Sequence, residues 1–526
     1  MSRRLPFAAA VVVFVALFAT AAPVGFVRDE GYYFEAAKSC EAWLVLLLHD
    51  PFAAIRATEQ YWSYNFEHPG LAKLLFASSH LAFTSTLHFL PDAQSWRLPG
   101  FFFAALLAFW LAVLGGQRSR ACALLAPALF FCTERTFFHA HLAAFDVPIC
   151  ALTAGVGVAW ARAIGILPGS PSRMSGGPWL AFVYGCALAV KHNAWLLPPV
   201  LVVHALFLPA AARRRAFSTL PWLLLSPLIL FAAWPLLWHD PVKHLGDWIA
   251  FHTHHVHYAW YYFGRELRAP PFPVVYPLAV LAVALPLPQV VLGAAAGLRL
   301  LWDLLRRNLG ALRLLELGLA GGAVLPFLLG TTPIFGGIKH WLAFVALLMP
   351  EAAALLEETV RTATGAVPWH TRTRALAAGA LAALLPGLWQ IAHLHPYGTS
   401  AYGELAGDLP GAASLGMQRQ YWSNNVTSVL PWLNAHAPRG ARVFFHEVNV
   451  ESYRAYLQSG ALRADIRYAS GPWDAEYAAL QWHREFRDRE PETWNAFGTK
   501  MPATGLYLDE VPQVVVYARP GLPGAP

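Results

Sequence analysis

Arg28-Asp29-Glu30-Gly31-Tyr32-Tyr33 follows directly on the first apolar run of the chain, residues 7–27. Two adjacent acids stand where a membrane span should emerge into water, and an anion pair is costly to hold beside hydrocarbon. Anchoring gains nothing from them, so they point to chemistry at a membrane surface. The fold class depends on whether the apolar runs around this stretch are spans.

Composition indicates that they are. The 526-residue chain is 57% hydrophobic and 13% charged, about half the charged fraction of a soluble globular protein. Its mean hydropathy is +0.42, and apolar runs of about 20 residues recur along it, the length of a membrane-crossing helix. The net charge of +7 lies in short basic clusters between apolar runs. A nucleic-acid partner would want those residues on one soluble face; their dispersal follows the positive-inside rule instead. Four of the five cysteines lie in apolar segments, which indicates neither a disulfide framework nor a CxxC metal site.

Met1-Ser2-Arg3-Arg4 and the apolar run after it resemble a secretory signal, with Ala19-Thr20-Ala21 as a cleavage motif. The many later spans favour an uncleaved anchor with Arg3 and Arg4 in the cytoplasm. Arginines at 118 and 120, 162, 213–215, 299–313 and 361–374 then mark inner loops, giving about 11 spans and an outer C-terminus. The segment 28–96 becomes the first outer loop, in which 33–48 and 71–83 read as amphipathic helices lying along the interface. The expected organisation is a polytopic α-helical membrane domain over 1–395 and an extracytoplasmic soluble domain over 396–526. In the latter, a strand at 442–448, helices at 451–458 and 475–486, and a strand at 512–518 suggest a small α/β module.

Charged groups recur beside the outer span ends: Asp29 and Glu30, Glu67-His68, Asp146, Lys191-His192 and Lys339-His340. A hydroxyl that attacks an anomeric carbon must lose its proton, which a carboxylate can take as general base. A phosphate leaving group needs a cation, for which Lys191, His68, Arg28 or Lys339 would serve. Bland readings stay open: Asp146 could pair with Arg135 or cap a helix near Pro148, and the Asp29–Glu30 pair could cap the next helix. His252, His254, His255 and His257 could ligate zinc or copper, or hydrogen-bond a sugar or phosphate from an aromatic loop. No acid lies within that cluster, so no cofactor is assigned, and a divalent metal is an alternative that no motif indicates.

These stretches resemble a known family. Arg28–Tyr33 is similar to the acidic first-loop motif of the GT-C glycosyltransferases that include protein O-mannosyltransferases and aminoarabinose lipid A transferases (glycosyltransferase family 39 type). Phe66-Glu67-His68-Pro69 resembles that family's Glu-Lys/His-Pro-Pro segment, Arg97-Leu98-Pro99 its Arg-Leu-Pro before the second span, and Asp146-Val147-Pro148 its second acidic site. His395-Pro396-Tyr397-Gly398-Thr399-Ser400-Ala401-Tyr402-Gly403-Glu404-Leu405 is like a segment after the last span of many bacterial members. The resemblance implies inverting transfer of a sugar from a polyprenyl-phosphate donor to a hydroxyl acceptor on a protein, lipid or glycan. It carries over Asp29 as principal catalytic acid and Asp146 as second, with Glu67 and His68 as donor-phosphate or acceptor contacts. Gly70 stands where many members have a second proline, and histidine is a weaker cation than lysine at neutral pH, so Lys191 is the alternative phosphate contact. Glu30 is expected to shape the field at the reacting centre, and His192 and His340 to assist phosphate binding. The Ala-, Arg- and Pro-rich composition suggests a bacterial inner membrane. The rival reading is an ion-coupled transporter or lipid flippase, which also places charge in the membrane but normally at mid-span and in repeated halves; here the charges sit at span ends and no repeat is visible.

Overall fold

The acidic stretch opens a helix, Arg28–His49. The Val27 N–H donates to the Glu30 carboxylate at 3.2 Å, closing the first turn from within, as a glutamate three residues into a helix does. Asp29 and Glu30 both lie in that first turn, where negative charge complements the helix dipole. The computed structural model describes residues 4–167, 173–365, 367–482 and 489–526.

Most of the chain is a helical bundle. By length and composition, five described helices can cross a membrane: Asp92–Gly115, Ala210–Ala233, Leu287–Leu305, Ala311–Leu328 and Trp369–Leu394. The other expected spans are helices of different extent. The one expected at 121–138 stops at Phe131, and Glu134–Ala140 forms a separate short helix. That expected at 274–298 is divided between Tyr276–Ala284 and Leu287–Leu305, because Pro286 cannot continue a helix from the preceding turn. The N-terminal helix, Arg4–Thr20, gives way at Ala21 to irregular backbone that leads to Arg28. Arg3 lies outside the described residues.

The segments expected to lie along the interface are the helix Arg28–His49 and the helix Gly70–His80. The first buries Phe34, Ala37, Cys40 and Trp43, and the second Ala72, Phe76 and Ala77, so each turns one apolar stripe inward. They pack on each other, and the second packs on Asp92–Gly115.

Arg97, in the latter helix, reaches into the turn before residue 28. Its Nε and Nη2 donate to the two Glu30 oxygens at 2.8 and 2.7 Å, and Nη1 and Nη2 donate to the carbonyls of Val24 and Gly25 at 2.9 and 3.0 Å. The Ala143 N–H adds a 2.9 Å bond to the same carboxylate. Both side chains are almost fully buried, and the planar guanidinium matches the carboxylate with two parallel bonds. Three chain segments thereby converge on one ion pair.

At the other end of the bundle, Arg118 bonds Glu316 and Glu351 at 2.5 and 3.0 Å, and Arg313 bonds Glu351 and Asp303 at 2.7 and 2.8 Å. Arg299 joins Glu358 at 2.6 Å, and Ser119 and Cys122 donate to Glu357. Arg97 and Arg118 lie 21 residues apart at opposite ends of one helix, roughly 30 Å at helical rise, so this network is remote from Glu30.

The C-terminal part carries a five-stranded sheet of β3 (Arg442–Phe445), β4 (Arg467–Tyr468), β5 (Tyr477–Gln481), β6 (Thr504–Leu508) and β7 (Val511–Ala518), in the order β4-β3-β5-β7-β6; β1 (Trp260–Tyr262) and β2 (Arg265–Leu267) form a separate hairpin. β3 is parallel to β4 and β5, and β7 antiparallel to β5 and β6. The expected strand near 442 and helix near 451 (Val450–Gln458) are present, as is the final strand. The helix expected at 475–486 is instead the strand β5; positions 483–486 of that expectation lie outside the described residues. Every residue of β5 is buried, so Tyr-Ala-Ala-Leu-Gln has no polar alternation to betray a central strand.

The helix Val450–Gln458 docks on Arg28–His49. A Cβ on Gly31 would come within 2.6 Å of Ser452 Oγ, so only glycine permits this approach. Ser452 Oγ donates to the Val27 carbonyl at 3.2 Å and Asn449 Nδ2 to that of Arg28 at 3.1 Å. Removing one partner of the buried Glu30–Arg97 pair leaves an uncompensated charge, a loss of about 3–5 kcal/mol. Thermal unfolding in detergent should therefore show Glu30→Ala strongly destabilised, with Arg97→Lys failing to match wild type because lysine lacks the fork.

Candidate functional site

The dock of the C-terminal sheet domain on the bundle leaves a cavity of about 480 Å³. Its wall comes from the start of Arg28–His49, from 65–68, 191–192, 251–268 and 327–340, and from 421–423 and Glu447 of the C-terminal part. A second, smaller cleft continues from it into the bundle. Asp146, Asn193, Lys339 and His340 form its polar end, and Ile149, Val200, Leu319 and Leu342 are among its apolar walls. Lys339 and His340 line both.

Two acid–lysine pairs stand at this junction. Asp146 begins the helix Asp146–Ala163, and its Oδ1 accepts from Lys191 Nζ at 2.6 Å. Lys191 is an extended residue between two helical segments, which frees its side chain to reach across. Asp29 Oδ2 lies 3.2 Å from Lys339 Nζ. Burial disfavours the Lys339 charge, but Asp29 and then Asp146 outweigh it and raise its pKa above the ordinary lysine value. The pairing of Asp146 with Arg135, left open from the sequence, does not occur. Arg135 donates instead to the Ala401 carbonyl and lies over the rings of Tyr402 and Tyr421.

Glu30 is not in the cavity. Arg97, Val27 and Ala143 consume its oxygens, and it is fully buried beneath Asp29, so the field-shaping role expected of it is replaced by a structural one. Arg28 lines the cavity and pairs with Glu447 at 3.0 Å. Glu67 lines it too; its carboxylate accepts from Asn65 at 2.6 Å and its carbonyl bonds His252 Nε2 at 2.8 Å. His68 packs against Tyr33 and Phe145, and its Nδ1 has no hydrogen-bond partner in the described structure. Burial, reinforced by Lys191, drives its pKa well below the ordinary histidine value. The cation expected at His68 is therefore a neutral imidazole.

The same holds along this wall. His192 and His252 stack with ring centroids 3.7 Å apart. Burial first, and then the neighbouring His252 and Lys191, push His192 well down; His252 is pushed down to about 4, chiefly by burial. His340 lies against Phe327 and Phe335 and is likewise lowered by burial and Lys339. The histidine cluster 252–257 divides: His252 and His255 line the cavity, whereas His254 is exposed and His257 packs on Phe272. Among the described residues, no group of three His, Cys, Asp or Glu side chains could hold a metal ion.

Several lining residues escaped sequence reasoning: Trp422, Tyr421, Ser423, Glu447, Arg268 and Tyr258. Most belong to the C-terminal part or to the loop after Asp247, remote in sequence from the acids. The run Tyr421-Trp422-Ser423-Asn424-Asn425, aromatic then amide, is the one signal that could have raised them.

The long apolar helices, the acid-bearing segment after the first of them and the terminal sheet domain compose the GT-C fold, the fold of a class of membrane glycosyltransferases. ArnT from Cupriavidus metallidurans, solved bound to undecaprenyl phosphate, matches with a TM-score of 0.53 and 15% identity over 97% of this chain and 97% of its own. The same protein in the apo state gives 0.50 and 14% over 96% and 97%. The oligosaccharyltransferase AglB from Archaeoglobus fulgidus, solved with an inhibitory peptide and a dolichol-phosphate, gives 0.48 and 12% over 89% and 65%. At such identities the likeness is one of fold. No family model matches the chain, and no curated protein does.

Histidines held neutral in the fold but free to protonate when unfolded make stability depend on pH. The unfolded chain binds more protons once pH falls below about 6.5, so stability declines from there downward, through the value of about 4 at His252. Denaturation midpoints measured at pH 7.5, 6 and 5 should fall in that order, with a shallower decline in His252→Gln.

Proposed function

We propose that this chain is an integral membrane glycosyltransferase that moves a sugar from a polyprenyl-phosphate donor to a hydroxyl acceptor with inversion. One observation carries the reading: the pairs Asp29–Lys339 and Asp146–Lys191 stand where a polar, aromatic cavity opens into an apolar cleft. A lipid-linked sugar has that same division between a polar head and an apolar tail. The acceptor oxygen forms its bond to the anomeric carbon as the bond from that carbon to the phosphate oxygen breaks. The acceptor proton passes to Asp29 as general base, and the polyprenyl phosphate leaves with the electron pair. Lys191 and Lys339 stabilise the charge that develops on it. His68, His192 and His340, being neutral, act as hydrogen-bond donors rather than cations, and Arg28 and Glu67 border the acceptor side.

In this reading the membrane domain spans 1–395 with about 11 crossings. The C-terminal domain, 396–526, and the cavity lie on the extracytoplasmic face of a bacterial inner membrane, and the acceptor is a protein, a lipid or a glycan. The ion-pair network of Arg118, Glu316 and Glu351 joins helices at the far end of the bundle. That supports transfer at one face over the rival reading of transport by alternating access.

Purified protein given a radiolabelled polyprenyl-phosphate sugar and cell-envelope acceptors tests the reading. Wild type should transfer label, and Asp29→Asn should lose about 10²–10⁴-fold in rate, the usual contribution of a general base. Absence of transfer by wild type, or full activity in Asp29→Asn, would overturn it.

A further inference from the structure

The two acid–lysine pairs differ in how firmly they are closed. Asp146 and Lys191 meet at 2.6 Å with side chains 6% and 8% exposed. Asp29 and Lys339 meet at 3.2 Å, and the Asp29 side chain is 23% exposed toward the open cavity. Lys339 is held by contacts that leave its donors free. Its ammonium lies 4.8 Å from the Phe335 ring centroid and 4.6 Å from that of Trp422, and attraction to a ring face uses no hydrogen-bond acceptor.

The backbone is moulded to this side chain. Gly336 and Gly337 have φ of +72° and +63°, and a Cβ on Gly336 would lie 2.5 Å from Lys339 Cε. Trp422 is fixed from two sides, since its carbonyl accepts from the Arg28 N–H at 3.0 Å and the adjacent Ser423 Oγ donates to the Glu447 carbonyl at 2.7 Å. Trp422 and Ser423 are both left-handed, with φ of +69° and +57°, conformations that persist only where the surroundings impose them. Lys339 is thus a charge in an aromatic cradle, reachable from both cavity and cleft, with three donors that can exchange one oxygen for another.

We propose that Lys339, besides holding the phosphate, masks Asp29 in the free protein and leaves it for the phosphate of a lipid-linked donor, so that donor binding exposes the base and precedes acceptor binding. This rests on the transferase reading above. The exchange moves no proton and breaks no covalent bond: a phosphate oxygen takes the place of the Asp29 oxygen on the ammonium. Asp29 Oδ2 gains an open lone pair toward the cavity. An acceptor that arrives first meets a carboxylate whose Oδ2 is already engaged by the ammonium, and the order of binding keeps a water or hydroxyl from being activated at that oxygen before a sugar is in place.

Coupling of a water-soluble carbodiimide and a small amine to Asp29, read by peptide mass spectrometry, tests the proposal in the detergent-purified full chain. Labelling is followed with and without a polyprenyl phosphate, whose binding is measured in the same samples by its shift of the unfolding temperature. Wild-type Asp29 should label about tenfold faster with the lipid bound, the factor expected on releasing a charge-assisted hydrogen bond. Lys339→Met should label at the faster rate without lipid, and Lys339→Arg should keep the lipid dependence. Lipid that binds without speeding the wild-type reaction overturns the masking proposal and leaves the transferase reading standing, as does Lys339→Met that labels no faster than wild type. Lipid that does not bind at all overturns both.

Discussion

The buried fork between Arg97 and Glu30 is the contact on which the site depends. Successive helix residues point about 100° apart, so turning Glu30 into the bundle sends Asp29 toward the cavity. The guanidinium also gathers the carbonyls of Val24 and Gly25, fixing the path by which the chain leaves its first helix. A charge pair so deeply desolvated is retained only when it is well hydrogen-bonded, and here six hydrogen bonds meet the carboxylate and guanidinium from the segments 24–27, 97 and 143. The same few residues receive the C-terminal domain through Ser452, Asn449 and Tyr456. Bundle, the paired helices Arg28–His49 and Gly70–His80, and sheet domain are therefore set by one turn of helix.

Electrostatic balance governs the cavity. Each of the two acids facing the junction has its own lysine, while the imidazoles along the wall are kept uncharged by burial. At the junction the site has a lysine charge at two points with neutral imidazoles beside them, and Arg28 and Arg268 stand farther along the cavity wall. Such a surface receives an anion without building up repulsion when the anion is absent, and the lysines keep the carboxylates from repelling each other.

Much of this was legible in the sequence, and the failures have physical causes. Asp29, Asp146 and Lys191 could be found because charge beside a span is rare and therefore informative. Glu30 was misjudged because adjacency in sequence hides the roughly 100° between neighbours on a helix; Arg97 held the clue, being itself a charge at the edge of an apolar run. His68 was read as a cation since type alone gives its ordinary pKa, and burial among Tyr33, Phe145 and Lys191 is a tertiary fact. β5 was read as a helix because a strand buried on both faces has no alternation. Trp422 and Glu447 come from a segment some 390 residues or more beyond Asp29, and no local pattern relates such positions.

The far network around Arg118 ties the helices Ala311–Leu328 and Leu342–Thr364 to the turn after Asp92–Gly115 through charge pairs, and the cavity lies toward their opposite ends. Those ends are linked by the segment 254–275 with its β1–β2 hairpin, by the glycine-containing turn before Lys339, and by the strap at 421–423 that the sheet domain holds. The two ends of the bundle therefore differ in kind: one is tied by arginine–carboxylate pairs among helices, and the other is also closed by lysine–carboxylate pairs that border a cavity.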